Sequence, residues 1–197
     1  MYDATYKIVV FGDIGVGKST LLDSSTTILF KSDSTMTIGV DFLVKSFEVG
    51  ENFESDTTKL EGVKLRKKKL KINGKKVKLQ IWHFGGEERF RFLLPTYVKG
   101  ASGGLFMYDI TNYSSLAHID DWLTTIKKEI KSLFPLVVAG GKGDLTEQRE
   151  VSAKEAINIA KSRDLDAFIE CSSKTGENVE EVFETLTRLM LQRSNFI

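Results

Sequence analysis

The sequence is poor in cysteine, in proline and in long apolar runs. Cys171 is the single cysteine, so an internal disulfide is excluded and a reducing, cytoplasmic setting is expected. No apolar run approaches the roughly 18 residues that a membrane-spanning helix needs. Residues 1–5 lead directly into a strand-like run, so no signal peptide is expected. Only two prolines stand against 16 glycines, a balance that favours tight turns in an α/β framework.

The chain also lacks a large excess of charge of either sign, since its net charge is +1. Its basic residues are nevertheless concentrated in one segment. Residues 59–78 hold ten Lys/Arg and one acid, whereas the rest of the chain holds 18 basic and 26 acidic residues. Lysines at 65–72 are typical of a protected sheet edge. The alternative is a weak patch at 64–78 that attaches the protein to anionic lipid or to an acidic protein. Aromatic residues do not interleave with these lysines, so nucleic-acid binding is not expected.

One motif, residues 12–20, dominates the sequence. It reads Gly-Asp-Ile-Gly-Val-Gly-Lys-Ser-Thr and fits the phosphate-binding pattern G-x-x-x-x-G-K-[ST]. A strand-like run precedes it and a helical pattern follows, so backbone N–H groups are expected to converge on a phosphate. Lys18 is expected to bridge phosphates, and the Ser19 hydroxyl to reach Mg²⁺. The residues expected to contact a nucleotide here are Asp13, Ile14, Gly15, Val16, Gly17, Lys18, Ser19 and Thr20.

Strand-like and helical patterns alternate along the 197 residues, which predicts one α/β domain. We expect a six-stranded, mostly parallel sheet with one antiparallel strand and helices on both faces. Helices are expected after the motif, over 115–132, from a capping box at Ser152 and from a cap at Asn178. The strand-like runs are residues 6–11, 42–49, 65–72, 77–82, 103–108, 136–139 and 167–170.

The middle of the chain carries two further signals. Asn73-Gly74 lies between two strand-like runs and predicts a tight hairpin. The polar residues 50–62 read as an excursion from the sheet, so residues 1–197 are expected to form a single domain with an insertion at about 50–65. Ligands of such sheets bind at the carboxyl ends of the strands, where the motif lies.

With these residues in view, the chain resembles a small GTPase of the Ras superfamily, and most of all its Rab branch. Residues 37–42, Thr-Ile-Gly-Val-Asp-Phe, resemble the first switch of that branch, and residues 79–90 resemble the strand and second switch around W-D-T-A-G-Q-E-R-F. The glutamate and glycine content also resembles that of archaeal relatives of this branch. The resemblance covers nearly the whole chain outside residues 50–62. It implies a P-loop G domain that binds GTP or GDP with Mg²⁺ and hydrolyses GTP.

Family roles transfer to matching positions. The resemblance implies that Phe30 stacks on guanine, although a core aromatic is the plain alternative. It implies that Thr37 reaches Mg²⁺ and the γ-phosphate in the triphosphate state, and that Gly86 meets the γ-phosphate through its N–H. Lys142 and Asp144 match the K-x-D of the base loop, where a carboxylate selects guanine. A second base-loop contact is expected from Ser172, Ser173 and Lys174.

Four departures from the family bear on catalysis. His83 replaces the aspartate that holds Mg²⁺, so it is either a solvated strand-end histidine or a tuned functional group. Glu87 replaces the glutamine that orients water, which implies slow hydrolysis unless Glu87 acts as a base or a partner assists. Ile14 adds bulk to the phosphate loop. Gly141 replaces the asparagine of N-K-x-D, which weakens binding by a hydrogen bond of about 0.5–1.5 kcal/mol. The catalytic residues are expected to be Lys18, Thr37 and Glu87.

Three functions remain open at this point. The first is a monomeric switch protein whose two switch regions bind an effector. Exchange and activating factors would act on it. The second is a pseudo-switch that keeps one nucleotide and acts as a scaffold. A metabolic P-loop kinase is the third, which the guanine elements and the lack of acceptor-site arginines disfavour. The chain ends without a cysteine, so membrane contact is expected only through recruitment or the basic patch.

Overall fold

The computed structural model describes residues 2–25, 40–46, 57–60, 63–66, 68–72, 75–85, 92–128, 130 and 134–195. Its strands are β1 Ala4–Phe11, β2 Val40–Ser46, β3 Thr57–Leu60, β4 Val63–Arg66, β5 Lys68–Ile72, β6 Lys75–Phe84, β7 Gly103–Asp109, β8 Leu136–Gly141 and β9 Ala167–Glu170. Its α-helices are α1 Lys18–Ser24, α2 Leu94–Val98, α3 Tyr113–Ala117, α4 Ile119–Lys127, α5 Ala153–Ser162 and α6 Val179–Arg193. A 3₁₀ turn spans Thr146–Gln148.

The main sheet has the order β2-β6-β1-β7-β8-β9. The five strands from β6 to β9 in this order run parallel, while β2 and β5 both pair antiparallel with β6. A mostly parallel α/β sheet is therefore confirmed, but it has seven strands and two antiparallel members, one more of each than expected. Since parallel strands share an orientation, the carboxyl ends of β6, β1, β7, β8 and β9 meet at one edge.

The extra strand arises from the basic segment. The predicted strand over 65–72 is divided into β4 and β5, and β5 forms the expected hairpin with β6 through the pair Ile72↔Lys75. The predicted excursion contains β3, which pairs with β4 in a separate two-stranded sheet. Among the described strands, β5 pairs with β6 alone, in keeping with the predicted edge position.

Two apolar cores cover the faces of the sheet, as strand alternation requires. One core joins Val10, Ile81 and Leu105 to α1 and α6, and the other joins Val9, Phe106 and Leu136 to α2, α3, α4 and α5. Strand β7 is buried along its whole length, which explains its unbroken apolar sequence. Within the described residues, no helix is long and apolar enough to cross a bilayer.

The helix ends agree with the sequence in one case and differ in two. Ser152 caps α5, since its side chain accepts a hydrogen bond from the Glu155 N–H, 3.2 Å away. Asn178 occupies the N-cap position of α6, but its side chain makes no cap bond there and instead donates to the Glu170 carbonyl. The helix expected over 115–132 is broken at His118 into α3 and α4, which keep the predicted apolar face.

Candidate functional site

The phosphate motif forms the loop between β1 and α1. Gly12, Gly15 and Gly17 have φ angles of 135°, 76° and 98°, a region that favours glycine. Gly12 is required for a second reason, because a Cβ there would lie 2.1 Å from the Met107 carbonyl oxygen. Helix α1 begins directly at Lys18 and receives no side-chain cap from Gly17. The loop has the shape in which a phosphate receives backbone N–H groups.

Lys18 is buried in this loop, with only 5 % of its surface exposed. Its Nζ donates hydrogen bonds to the carbonyl oxygens of Gly12, 2.9 Å away, and of Asp13, 2.6 Å away. Burial lowers the pKa of Lys18 to about 7, and the Asp13 charge opposes this shift. A buried ammonium held by two carbonyls is suited to bind a phosphate, whose negative charge would favour its protonated form.

The other predicted loop residues differ in their surroundings. Val16 is buried, whereas Ile14 is half exposed at the surface of the loop. Ser19 and Thr20 lie in the first turn of α1 and are half-buried. The Asp13 carboxylate accepts a hydrogen bond from the Trp122 indole N–H, 2.9 Å away, and contacts His118. The sequence motif predicts neither Trp122 nor His118, because both lie more than 100 residues from Asp13 in the chain.

The two loops predicted to bind the base meet at the same edge of the sheet. Asp144 follows β8, and its Oδ1 accepts a hydrogen bond of 2.6 Å from the hydroxyl of Ser172, which follows β9. Lys174 Nζ lies 3.8 Å from the other carboxylate oxygen. The Gly143 N–H donates to the Cys171 carbonyl at 2.9 Å and joins the two loops directly. Ser173 is half-buried beside them. The Asp144 side chain keeps 14 % of its surface exposed, so the carboxylate is positioned yet reachable.

Lys142 is held in a way that the sequence did not predict. Its backbone has a φ of 63°, and its Nζ lies 2.5 Å from the Asp109 carboxylate at the end of β7. That carboxylate also accepts the N–H and hydroxyl of Thr111. Asp109 was missed, although its position at the carboxyl end of a strand beside β8 was the signal available. In this structure Lys142 braces the base loop against β7.

Gly141 lies where the base loop passes close to the phosphate loop. A Cβ at this position would lie 2.9 Å from the Val16 carbonyl oxygen. The resemblance to the family implies an asparagine here, whose amide would tie the two loops together. In this chain direct backbone packing takes the place of that tie, because glycine lets the loops approach closely.

His83 lies near the end of β6, paired with Val10 of β1 and Asp41 of β2. Only 1 % of its surface is exposed, so the alternative of a solvated strand-end histidine is wrong. By strand alternation it belongs to the face of Leu79 and Ile81, whose core includes residues of α1 and α6. A buried imidazole therefore occupies the position at which the family pattern has the aspartate that holds Mg²⁺.

The remaining predicted residues lie outside the part of the chain that the structure describes: Phe30, Thr37, Gly86 and Glu87. Within the described part, no group of three or more His, Cys, Asp or Glu could hold a metal ion. Ser19 is the described residue with a suitable hydroxyl. The described residues thus fit a nucleotide's phosphates and base, but a magnesium ion only in part.

Cys171 directly follows β9 and is buried in the core that contains residues of α6. Burial raises the pKa of its thiol to about 12, with a further contribution from Glu170. A thiol with so high a pKa is not a nucleophile at neutral pH. The residue is part of the core.

Comparison with known proteins agrees with this geometry. The model of the Ras family matches residues 7–61 and 49–192, two segments that overlap at the excursion. The chain is 39% identical to Ras-related protein Rab-4 of Dictyostelium discoideum over 187 residues, 95% of this chain and 80% of that protein. It is 38% identical to Rab-4A of Mus musculus over 98% of this chain and 77% of that protein. Identity to Rab-1 of Theileria parva is 37%, over 96% and 76%. The chain belongs to the Ras family of small GTPases and is a Rab-like, GTP-binding member of it.

Proposed function

We propose that this protein is a guanine-nucleotide switch with slow intrinsic GTP hydrolysis, in which Mg²⁺ is held more weakly than the family pattern implies. One observation carries the proposal: the phosphate loop after β1 and the Asp144–Ser172 pair after β8 and β9 lie along one edge of the sheet. A nucleotide spanning that edge would place its phosphates on Lys18 and its base on Asp144.

Guanine preference is supported by the chemistry of Asp144. A carboxylate accepts two hydrogen bonds from the ring N–H and the exocyclic amine of guanine, whereas adenine has no amine at that edge. The bond from Ser172 fixes the orientation of this carboxylate before a base arrives. Lys174 lies beside it with an exposed side chain and is a candidate contact to the base edge or sugar.

Binding of phosphate rests on Lys18 and the loop N–H groups. Lys18 already donates to two carbonyls, so it is oriented within the loop, and a phosphate would compete for its protons. Mg²⁺, when bound, neutralises phosphate charge and orients the reacting oxygens. The Ser19 hydroxyl and, by family match, Thr37 would hold it, without a carboxylate at position 83.

Slow hydrolysis is supported by two replacements. Glu87 stands where the family has the glutamine that orients water, and its negative charge would face the γ-phosphate. His83 is a poor partner for a hard cation that prefers oxygen. Both changes reduce transition-state stabilisation while leaving the described binding residues in place. Ile14 adds half-exposed bulk beside the phosphates, which narrows access for water or a partner's arginine.

Loss of the γ-phosphate would release Thr37 and Gly86, the contacts through which the family changes its switch surface. We propose that an effector reads this surface and that exchange and activating factors act on it. We also propose a monomer that works in the cytoplasm and reaches membranes through recruitment or the basic patch.

The test is nucleotide content followed by single-turnover hydrolysis. Protein purified without added nucleotide is denatured, and released nucleotides are separated by ion exchange. The expected finding is GDP, GTP or both, whereas adenine nucleotide would reject the guanine assignment. Purified protein in excess over GTP is then followed over hours, with and without Mg²⁺. Slow conversion to GDP supports the switch, and GTP that persists unchanged favours the pseudo-switch.

A further inference from the structure

The carboxylate of Asp13 is bound by the helical segment that follows β7. Asp13 is the only acidic residue of the phosphate loop, residues 12–20. Its Oδ1 accepts a hydrogen bond of 2.9 Å from Trp122 Nε1, and its Oδ2 lies 2.5 Å from His118 Nδ1. The Asp13 side chain is 16% exposed; its bond to Trp122 is partly buried, whereas its contact with His118 lies at the surface. The phosphate loop is thereby attached to a helix far away in sequence.

The two partners of Asp13 are fixed by the fold. His118 is the junction of α3 and α4, and its carbonyl accepts the N–H groups of Asp121 and Trp122. Trp122 is buried, and its ring packs on Phe11, the last residue of β1, with centroids 6.0 Å apart. Because this ring is held against the strand that leads into the loop, its N–H has a defined direction.

The charge of Asp13 gives this attachment a consequence for ligand binding. A carboxylate in a loop that receives phosphates would repel them unless it were held elsewhere and neutralised in part. Charge-assisted hydrogen bonds from an indole and an imidazole do both. The backbone carbonyl of the same residue accepts Lys18, so the position of Asp13 also affects the lysine that would bind phosphate.

We propose that His118 and Trp122 are positioning residues that hold the Asp13 carboxylate on the α3–α4 junction, away from the phosphates, and thereby slow the release of bound nucleotide. The inference rests on the proposed nucleotide site. Neither residue touches the nucleotide in this account; both act through Asp13. The His118 side chain is 46% exposed, so the α3–α4 junction lies at the protein surface. A change at this junction would therefore alter how long the nucleotide is retained.

The test measures release of a fluorescent GDP analogue from the full chain, chased with excess GDP. His118→Leu removes the imidazole donor at similar volume and should speed release roughly ten- to a hundredfold, the effect of one hydrogen bond to a charged group. His118→Asn places an amide N–H near the position of Nδ1 and should keep release within about twofold of the unmodified protein. In an Asp13→Asn background the His118→Leu change should have a much smaller effect, because the two residues act as one pair.

The matched control is Asp120→Asn. Asp120 lies on the same helix and pairs with Arg163 at 2.6 Å, on the side directed toward α5. Its loss removes an ion pair of α4 without touching the phosphate loop, so release should not change. Trp122→Phe is tested with its melting temperature, so that lost packing is separated from the lost N–H.

The outcomes separate this inference from the function on which it rests. If the unmodified protein fails to bind the GDP analogue, the proposed function fails. If it binds GDP, but His118→Leu releases it no faster than Asp120→Asn does, the positioning role is overturned. Equal acceleration by His118→Leu and His118→Asn would also overturn it, because a donor to Asp13 would then be irrelevant.

Discussion

Gly141 lies so close to Val16 that any Cβ at position 141 would stand 2.9 Å from the Val16 carbonyl oxygen. The base loop and the phosphate loop therefore pack backbone against backbone. This contact changes the meaning of the asparagine that the family pattern would place there. The sequence predicts only that a hydrogen bond is lost. In the structure a backbone contact replaces it, and that contact requires glycine at position 141.

Restoring the family residue should therefore fail. Gly141→Asn and Gly141→Ala force the Val16 backbone to move, and overpacking of this kind costs about 1–3 kcal/mol. We expect both variants to melt at lower temperature than the unmodified protein and to bind GDP no more tightly. Thermal denaturation and a fluorescent GDP titration check this, with Lys161→Ala, at an exposed position of α5, as a control. Tighter binding by Gly141→Asn would mean that the loops have room to separate and that the amide tie was missing.

Asp144 allows the base assignment to be reversed by one substitution. Asp144→Asn replaces an acceptor with a donor and should weaken GDP binding by about 10²-fold, since bonds to a charged group are lost. Xanthine has a carbonyl where guanine has its amine, so the same variant should bind XDP better than GDP. Ser172→Ala removes the bond that orients the carboxylate, together with the bond that the Ser172 hydroxyl accepts from the Thr175 N–H, and should weaken GDP binding a few-fold. Unchanged base preference in Asp144→Asn would place the base elsewhere.

The fold could be predicted further than the site. The two-residue hairpin, the buried β7 and the capping of α5 follow from local patterns that short segments specify by themselves. The helix break at His118 and the Asp109–Lys142 pair do not, because they depend on which strands and helices become neighbours. Asn178 illustrates both outcomes. Its place at the start of α6 was predictable from the sequence, whereas its bond to the Glu170 carbonyl was not.

His83 was the least predictable of the site residues. Sequence alone left a solvated histidine as open as a functional one, because alternation gives the face of a strand but not what covers its end. Its burial, with 1% of its surface exposed, decides between them. His83→Asp should restore an oxygen ligand, so removal of Mg²⁺ with EDTA should accelerate GDP release more in the variant than in the unmodified protein. His83→Asn serves as the control without the charge, and equal EDTA effects in all three would argue against a metal role for position 83.

Glu87 gives the prediction for turnover. In the proposed switch, Glu87→Gln would replace a charge that repels the γ-phosphate with an amide that orients water and donates to the transition state. Single-turnover hydrolysis should become faster, by roughly tenfold for each 1.4 kcal/mol of barrier removed. Glu87→Ala is the control, because it removes the repulsion without supplying the amide. Slower turnover in Glu87→Gln than in the unmodified protein would indicate instead that the carboxylate acts as a base.

Lys18 makes stability and binding depend on pH in a defined direction. Its pKa is lowered by burial from 10.5 to about 7 in the folded chain, so between these values the unfolded chain binds more protons than the folded one. The free energy of unfolding of nucleotide-free protein should therefore rise with pH from about 7 towards 10, and Lys18→Met should flatten this rise. Bound phosphate favours the ammonium form, so GDP binding at pH 8 should take up protons, which titrations in buffers of different ionisation enthalpy detect. Lys154, an exposed lysine of α5, provides the control variant Lys154→Met. Proton release on binding, or a pH profile that Lys18→Met leaves unchanged, would show that Lys18 is already charged in the empty loop.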